Sequence, residues 1–445
     1  MNGMRAWPWP LMVCAIALMC AIAGGGSYFA QYDFGAWGGD WARLQQCRII
    51  RDAGGCEGLS KFPLAYLLNS AWVHESPQPG MRLAWLNVAF LALPLAWLAT
   101  LRGKQAFASA GAYIAAICLS PLPYFYVHAA ALEVQAGIVA GIYLGTLGAM
   151  WMEPGLRRRP VAYGWLIGTA LLFPLYKDTV VVIVLLAILV SLATLRLAKH
   201  WQRRRNEQFG EARLAGITAA GLLALVPGGV AALAYNQYRY ASLAPVAYLE
   251  EARQTSPLLV MSLEFLAGGI ASPNGGVVIF WSLPFAVLAL LLWLTRHRLS
   301  LAGILPALVA AGGALVSFSL WWAAFGWSSW GDRLMLQPML SLLVAMLLTA
   351  GTAGNGHAPI RKSLRSMGAW AILASIPVLA SAYYFAIPYR SEREDVMGAS
   401  LWPGPACEVM RGKMETEATI MGPSFWRTSW YYDCARERLR HVPRP

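Results

Sequence analysis

The sequence predicts an all-α, polytopic membrane protein with about 11 transmembrane helices. Of its 445 residues, 58% are hydrophobic and only 13% are charged. Apolar runs of about 17–24 residues, the length that crosses a bilayer as a helix, recur along nearly the whole chain. Lys and Arg gather in alternate connections between these runs, which is typical of cytoplasmic loops. Together these observations predict both the class of the protein and the orientation of its spans in the membrane.

The first apolar run, from Trp7 to Ala30, is long and has no convincing cleavage site, so we interpret it as a retained helix rather than a signal peptide. An odd number of spans puts the two termini on opposite sides, and the basic connections predict that the N-terminus is cytoplasmic and the C-terminus outside. The predicted spans are residues 8–30, 82–101, 106–122, 132–151, 161–176, 179–198, 214–235, 276–295, 300–322, 334–351 and 367–387.

The predicted domain organisation is a transmembrane domain over residues 1–388 and a short exterior tail over residues 389–445. Two exterior loops are long enough to hold structure, at residues 31–80 and 236–275. In the first loop, the segment that starts at Trp41 is amphipathic and predicts a helix on the membrane surface.

The carboxylates of the chain are distributed unequally between the two membrane faces. Of 22 Asp and Glu residues, only Glu153, Glu207 and Glu211 fall in the basic, cytoplasmic connections. The others lie in the exterior loops, at the span ends that face them, or in the tail. This asymmetry predicts a functional site at the exterior face. The net charge of +13 is spread over the cytoplasmic loops, so it indicates topology and not a nucleic-acid partner.

Asp40 is the first candidate catalytic residue. It lies in the first exterior loop, where a carboxylate can accept a proton from an attacking hydroxyl group. The alternative is structural, since Asp is a favoured N-cap for a helix that starts at Trp41. Asp33 is a nearby competitor for the same role.

Glu133 is the second candidate, at the outer start of the span 132–151. An ionisable residue at the edge of the bilayer is a functional candidate unless a local backbone group satisfies it. His128 is a polar neighbour on the same predicted surface. Lys177 and Asp178 are secondary candidates, with the alternative that they form a self-neutralised structural pair.

Several exterior cations are candidates for binding an anion. Lys61 stands just before Phe62-Pro63, where it could neutralise a lipid phosphate. Arg333 ends the segment Trp327–Arg333, where its planar guanidinium could hold a phosphate through two bonds. Ordinary contact with lipid headgroups is the alternative for both.

The motifs and their order resemble the bacterial C-type (GT-C) glycosyltransferase superfamily, which includes protein mannosyltransferases and the lipid A aminoarabinose transferase. Asp40 occupies the place of the family's acidic residue in the first exterior loop, and Glu133 that of the second. Ser60–Tyr66 is similar to the Lys-Pro-Pro-Leu-x-Tyr element, with Phe62 in place of the first proline. Three later elements are similar to those of a subgroup of predicted membrane glycosyltransferases, namely Tyr235–Ser242, Gly268–Gly276 and Trp327–Arg333.

The resemblance implies transfer of a sugar from a polyprenyl-phosphate donor to an envelope glycan, glycolipid or protein. The reaction would occur at the periplasmic face of the bacterial inner membrane, in contact with membrane lipid, and would invert the anomeric centre. Asp40 would be the base, while Lys61, Arg239 and Arg333 would be candidates for the carrier phosphate. No metal-ligand spacing is present, so we predict neither a metal nor another cofactor. The sugar and the acceptor remain open.

Two alternatives to this function stay open from the sequence. A polymerase or ligase of lipid-linked oligosaccharides would use a similar donor. A glycolipid transporter would need functional polar residues in both leaflets, whereas this chain concentrates its carboxylates on one side. Departures from the family pattern include Ala241 and Ala247 in place of glycines, and a short tail in place of the usual larger exterior domain.

Four cysteines fall in segments that we place outside. Cys47 and Cys56 form one local pair and Cys407 and Cys434 another. In an oxidising compartment such pairs predict two disulfides, with unpaired thiols as the alternative.

Overall fold

The computed structural model describes residues 40–47, 63–76, 79–120, 122, 132–202, 211–243, 259–271, 276–295, 297–320 and 333–352. Its α-helices are α1 Asp40–Cys47, α2 Pro63–Val73, α3 Pro79–Leu101, α4 Phe107–Cys118, α5 Leu132–Met152, α6 Pro160–Tyr176, α7 Asp178–Gln202, α8 Glu211–Tyr240, α9 Leu259–Ala271, α10 Val277–Leu294, α11 Leu301–Ser319 and α12 Arg333–Thr349. Each predicted span from 82–101 to 334–351 coincides with one of these helices. The predicted spans 8–30 and 367–387 lie outside the described residues, as does the tail 389–445.

The structure departs from the predicted all-α, loop-separated pattern in two places. His297–Arg298 (β1) and Gly351–Thr352 (β2) form a two-stranded antiparallel sheet, in which His297 is opposite Thr352. Part of the predicted exterior loop 236–275 is helical, because α8 continues to Tyr240 and α9 forms within the loop. The predicted helix that starts at Trp41 is confirmed as part of α1.

The outer surface of the bundle is apolar in a way that suits lipid. Among the described residues, five helices are long and apolar enough to cross a membrane: α3, α5, α7, α8 and α11. On α7, Val182 and Leu186 are 60% and 57% exposed, and Leu223 on α8 is 69% exposed. A soluble protein rarely leaves so continuous an apolar surface in water, so we interpret this surface as the lipid-facing side.

Helix α5 is the centre of the bundle. Every residue from Leu132 to Trp151 is buried, because α2, α3, α6, α8, α11 and α12 all pack against this helix. A helix that is apolar on all sides suits such surroundings. Helix α5 therefore has no lipid-facing or water-facing side, and its neighbours contact it all around.

Glycines on α5 allow α12 to approach closely. A side chain at Gly137 would collide with the backbone of Gln337, and one at Gly141 would lie 2.7 Å from the Cβ atom of Val344. Gly145 faces Ala345 and Leu348 in the same manner. Small residues at a four-residue spacing are a known device for packing membrane helices. The Ser341 hydroxyl adds a hydrogen bond of 3.0 Å to the carbonyl oxygen of Gly137.

The contacts of these glycines also give the direction of α12. Partner numbers on α12 rise together with those on α5, so the two helices are parallel. Continuing this register by one turn places Glu133 level with the start of α12 at Arg333. We name this the Glu133 end: it holds the starts of α5, α7 and α12 and the ends of α6 and α8. The opposite end, where Arg102 joins the ends of α3, α5 and α12, is the Arg102 end.

Replacing Gly141 by Ala should destabilise the protein. The new Cβ atom would lie 2.7 Å from the Val344 Cβ atom and 3.0 Å from the Ser341 backbone. We expect a loss of about 1–3 kcal/mol, the usual cost of overpacking, measured by unfolding in detergent. Gly164→Ala on α6 is the control, because nothing lies within 4 Å of a side chain there. Equal unfolding midpoints for the two variants would contradict the close packing of α5 and α12.

Candidate functional site

At the Arg102 end, the charged groups satisfy one another and the helix termini. Arg102 forms a bidentate ion pair with Glu153 and donates to the carbonyl oxygen of Leu348. Arg157 donates to the carbonyl oxygens of Met150 and Trp151, at the last turn of α5. Cations at helix C-termini are favourable because they meet the negative end of the helix dipole. The charged groups at the Arg102 end therefore have structural roles.

His297 completes the Arg102 end. Its Nε2 atom lies 2.9 Å from the Ser109 hydroxyl and its Nδ1 atom 3.0 Å from the Thr295 hydroxyl. Burial lowers the pKa of His297, and the nearby charge of Arg102 lowers it further, against a raising effect of the Thr295 backbone. With both ring nitrogens bonded, His297 is a structural link between α4 and the turn after α10.

The Glu133 end contains a buried ion pair between two helices. Lys177 Nζ lies 3.6 Å from Glu133 Oε1, and the two side chains are 8% and 4% exposed. Glu133 is in the first turn of α5, whose dipole favours a negative charge there. Lys177 is the residue between α6 and α7, and its ammonium also lies 5.9 Å from the Phe318 ring of α11. The two charges are held in place by three elements.

Asp178 has a partner on a different helix. It is the first residue of α7, and its Oδ2 atom accepts a hydrogen bond of 3.3 Å from the Asn236 side chain of α8. Its Oδ1 atom is buried and has no hydrogen-bond partner among the described residues. The structure thus gives Lys177 and Asp178 partners on different helices, and the self-neutralised pair stays a prediction.

Arg239 is the most unusual residue of this end. It lies in the last turn of α8 and is only 2% exposed. Its guanidinium carbon is 4.3 Å from the centre of the Tyr240 ring and 5.6 Å from that of Tyr235. Its Nε and Nη1 atoms are buried and meet no acceptor in the part of the chain that the structure describes. A buried cation with unsatisfied donors costs several kcal/mol, and it is typical of a site for an anion.

A network of amide side chains attaches α2, in the first predicted exterior loop, to this end. Gln135 on α5 donates to Asn69 at 2.8 Å and to Asn87 at 3.1 Å. Next to Asn69, the Ser70 hydroxyl accepts a hydrogen bond of 2.9 Å from the backbone of Trp41. Asp40, the first residue of α1, is therefore linked through α2 to the helix that carries Glu133.

The structure describes the predicted site residues to different extents. Glu133, Lys177, Asp178 and Arg239 lie together at one end of the bundle. Asp40 and Arg333 are described only as the first residues of α1 and α12, which begin at that end. Predicted site residues outside the described residues are Asp33, Lys61 and His128. The disulfide predictions also stay open, because Cys56, Cys407 and Cys434 lie outside the described residues and Cys47 is described only as the end of α1.

Sequence reasoning missed Gln135, Asn69, Asn87 and the bond from Asn236 to Asp178. Gln135 could have been found, since a polar residue two positions after Glu133 inside an apolar span is unusual. Asn236 was noted only as part of a motif. Its partner is on another helix, so only the packing of the helices reveals the pairing.

The geometry suits a ligand that carries both negative charge and polar groups. Arg239 and Lys177 supply cations, and Asp178 supplies an acceptor, in surroundings where such interactions are strong because water is scarce. Among the described residues, no group of three His, Cys, Asp or Glu side chains is placed to hold a metal ion.

The fold and the site define a multi-helical membrane protein with a charged site at one end of its bundle. No family model matches the sequence, and no curated protein matches it. The chain is similar to the crystal structure of ArnT from Cupriavidus metallidurans bound to undecaprenyl phosphate, with 15% sequence identity and a TM-score of 0.46. The match covers 87% of this chain and 73% of that chain. A likeness at this level assigns no residue, ligand or reaction to the present protein.

Replacing Glu133 by Gln should destabilise the protein by about 3–5 kcal/mol, because it leaves the buried Lys177 ammonium without its carboxylate partner. The double variant Glu133→Gln/Lys177→Met should recover part of this loss, since both charges are then removed. A double-mutant cycle from unfolding in detergent measures the coupling between them. Strictly additive effects would show that the ion pair contributes nothing.

Proposed function

We propose that the protein is an integral-membrane glycosyltransferase that takes its sugar from a polyprenyl-phosphate donor at the Glu133 end. The observation that carries this proposal is Arg239, a buried guanidinium whose Nε and Nη1 atoms have no hydrogen-bond partner in the described residues. A second buried cation, Lys177, lies at the same end of the bundle. A lipid-linked phosphate would approach such a site from the membrane, and its oxygens would satisfy those donors. The resemblance of the sequence motifs to the C-type glycosyltransferases supports the same substrate class.

In this reaction, an acceptor hydroxyl oxygen attacks the anomeric carbon of the sugar. The bond between that carbon and the phosphate oxygen breaks, and its electron pair stays on the phosphate. Arg239, together with Lys61 and Arg333, would stabilise the negative charge that develops there. The attack from the face opposite the phosphate inverts the anomeric centre.

The proton of the acceptor hydroxyl needs a base, and Asp40 is our candidate for that role. The hydrogen bond from Trp41 to Ser70 and the amide network of Gln135 support its placement near Glu133. Glu133 is the second catalytic candidate, and its contact with Lys177 would keep that ammonium directed toward the site. We place this end at the periplasmic face, because the basic connections lie at the opposite end of the bundle.

Arg239→Gln should lower kcat/KM for the donor by about 100-fold, since a charge-assisted bond to the phosphate is lost. Arg239→Lys should recover only part of the activity, because an ammonium lacks the planar fork. The measurement is the release of polyprenyl phosphate from polyprenyl-phosphate monosaccharides, in proteoliposomes supplied with envelope extract as acceptor. Arg82→Gln is the control, because Arg82 is an exposed arginine at the start of α3. An unchanged kcat/KM in Arg239→Gln would remove the observation on which the proposal depends.

Asp40→Asn should reduce turnover at least about 100-fold while the protein still inserts and folds. This substitution separates catalysis from helix capping, because Asn caps a helix about as well as Asp does. Glu75→Gln is the control, since that carboxylate lies outside the cluster and is 84% exposed. Turnover of Asp40→Asn at the wild-type rate would restrict Asp40 to a structural role.

Donors with different glycans separate the proposal from its closest alternative. A glycosyltransferase of this kind should use monosaccharide-linked carriers, whereas an oligosaccharide polymerase or ligase should need longer glycans. A glycolipid transporter should move lipid across the bilayer and release no polyprenyl phosphate.

A further inference from the structure

Two charged side chains at the Glu133 end have unsatisfied atoms of opposite kinds. Arg239 has two buried donors, Nε and Nη1, and Asp178 has one buried acceptor, Oδ1, with no hydrogen-bond partners in the described residues. Each would cost free energy if it stayed unsatisfied in a medium of low dielectric constant. Both would be satisfied by one ligand that offers acceptors at one end and a donor at the other.

Arg239 and Asp178 do not satisfy these buried atoms by a direct hydrogen bond to each other. The charge of Arg239 acts on the Asp178 carboxylate through space, but the contacts of the two groups are made elsewhere. The guanidinium carbon of Arg239 lies over the Tyr240 ring, 4.3 Å from the ring centre. Asp178 is tied to Asn236, three residues before Arg239 on the same helix. Each of the two groups is therefore held by its own partner, Arg239 by Tyr240 and Asp178 by Asn236.

This separation is a form of preorganisation. The Tyr240 ring restricts the position of the guanidinium, and the bond from Asn236 holds Oδ2 of Asp178. The Oδ1 atom is the one without a hydrogen-bond partner in the described residues. Groups that are fixed before binding lose little conformational entropy when the ligand arrives. A flexible surface pair of Arg and Asp would form a direct salt bridge instead.

The chemistry of the two groups restricts the ligand. Asp178 would repel a bare anion, and Arg239 would repel a bare cation. A glycosyl phosphate has phosphate oxygens for the guanidinium and sugar hydroxyl groups for the carboxylate, and these lie a few bonds apart. We propose that Asp178 binds a hydroxyl group of the donor sugar while Arg239 holds the adjacent phosphate, which makes Asp178 a specificity-determining residue.

This inference rests on the proposed function for the identity of the lipid carrier, and it predicts something further about recognition. The protein should prefer the sugar-linked carrier to the bare polyprenyl phosphate, which is also the product of the reaction. A site built to bond a hydroxyl group discriminates strongly against an analogue that lacks it. Preference for the loaded carrier would limit inhibition by the product.

The test compares the binding of polyprenyl phosphate with that of its hexosyl and pentosyl forms, to the purified full-length protein in detergent. Wild type should prefer at least one sugar-linked form. Asp178→Asn should reduce that preference about tenfold, because with Asn236 still bonded to the amide oxygen an NH₂ group replaces the acceptor. Affinity for the bare carrier should not fall. Arg239→Gln should weaken the binding of both the bare carrier and its sugar-linked forms.

Two further variants complete the test. Thr179→Val is the matched control, an exposed neighbour on α7 that should bind as wild type does. If Asp178→Asn does not fold, Asn236→Ala replaces it: this variant keeps both charges but releases the carboxylate, so the preference should fall in the same direction.

The outcomes distinguish this inference from the proposed function. Equal binding of bare and sugar-linked carriers by wild type, or an undiminished preference in Asp178→Asn, would overturn the role of Asp178, even if the enzyme transfers sugar normally. A preference that depends on Asp178, in a protein that shows no transfer, would support the hydroxyl-binding site and overturn the transferase. If Asp178→Asn weakened the binding of the bare carrier and of the sugar-linked carrier equally, Asp178 would have only a structural role.

Discussion

The close, parallel contact between α5 and α12 is the constraint on which the rest of the structure depends. Gly137, Gly141 and Gly145 remove the side chains that would keep the two helices apart. Because lipid offers no hydrophobic drive to bring helices together, tight packing and a bond such as Ser341 to Gly137 must do so. This contact covers one side of α5, and it brings the starts of two helices to the same level, where their dipoles are both positive.

The two ends of the bundle differ in whether their charged groups are fully hydrogen-bonded. At the Arg102 end, Arg102 and Arg157 meet a carboxylate or helix carbonyl oxygens, so the cations stabilise the fold. At the Glu133 end, Arg239 and Asp178 keep buried atoms without a bond in the described residues. Natural proteins tolerate such a cost mainly at functional sites. This contrast, more than the number of charges, is why we place the binding site there.

Much of the fold could be predicted from the sequence because hydropathy is a local property. The apolar runs predicted the helices from α3 to α12, apart from α9. That segment was missed because it lies among polar and aromatic residues of a predicted exterior loop. For the candidate site, the sequence named Glu133, Lys177, Asp178 and Arg239, but it did not reveal the contacts of Lys177 with Glu133 and of Asn236 with Asp178. Gln135 was overlooked although its place inside an apolar span was visible in the sequence.

By itself, the sequence determined a helical membrane protein and the positions of its described spans, since each depends on composition within one short segment. The tertiary structure decided which charges meet. Lys177 pairs with Glu133 on α5, and Asp178 receives a hydrogen bond from Asn236 on α8. Such partners are distant in the chain, and the packing of α5, α6, α7 and α8 selects them, because in a medium with little water each buried charge must take the group that the neighbouring helix presents.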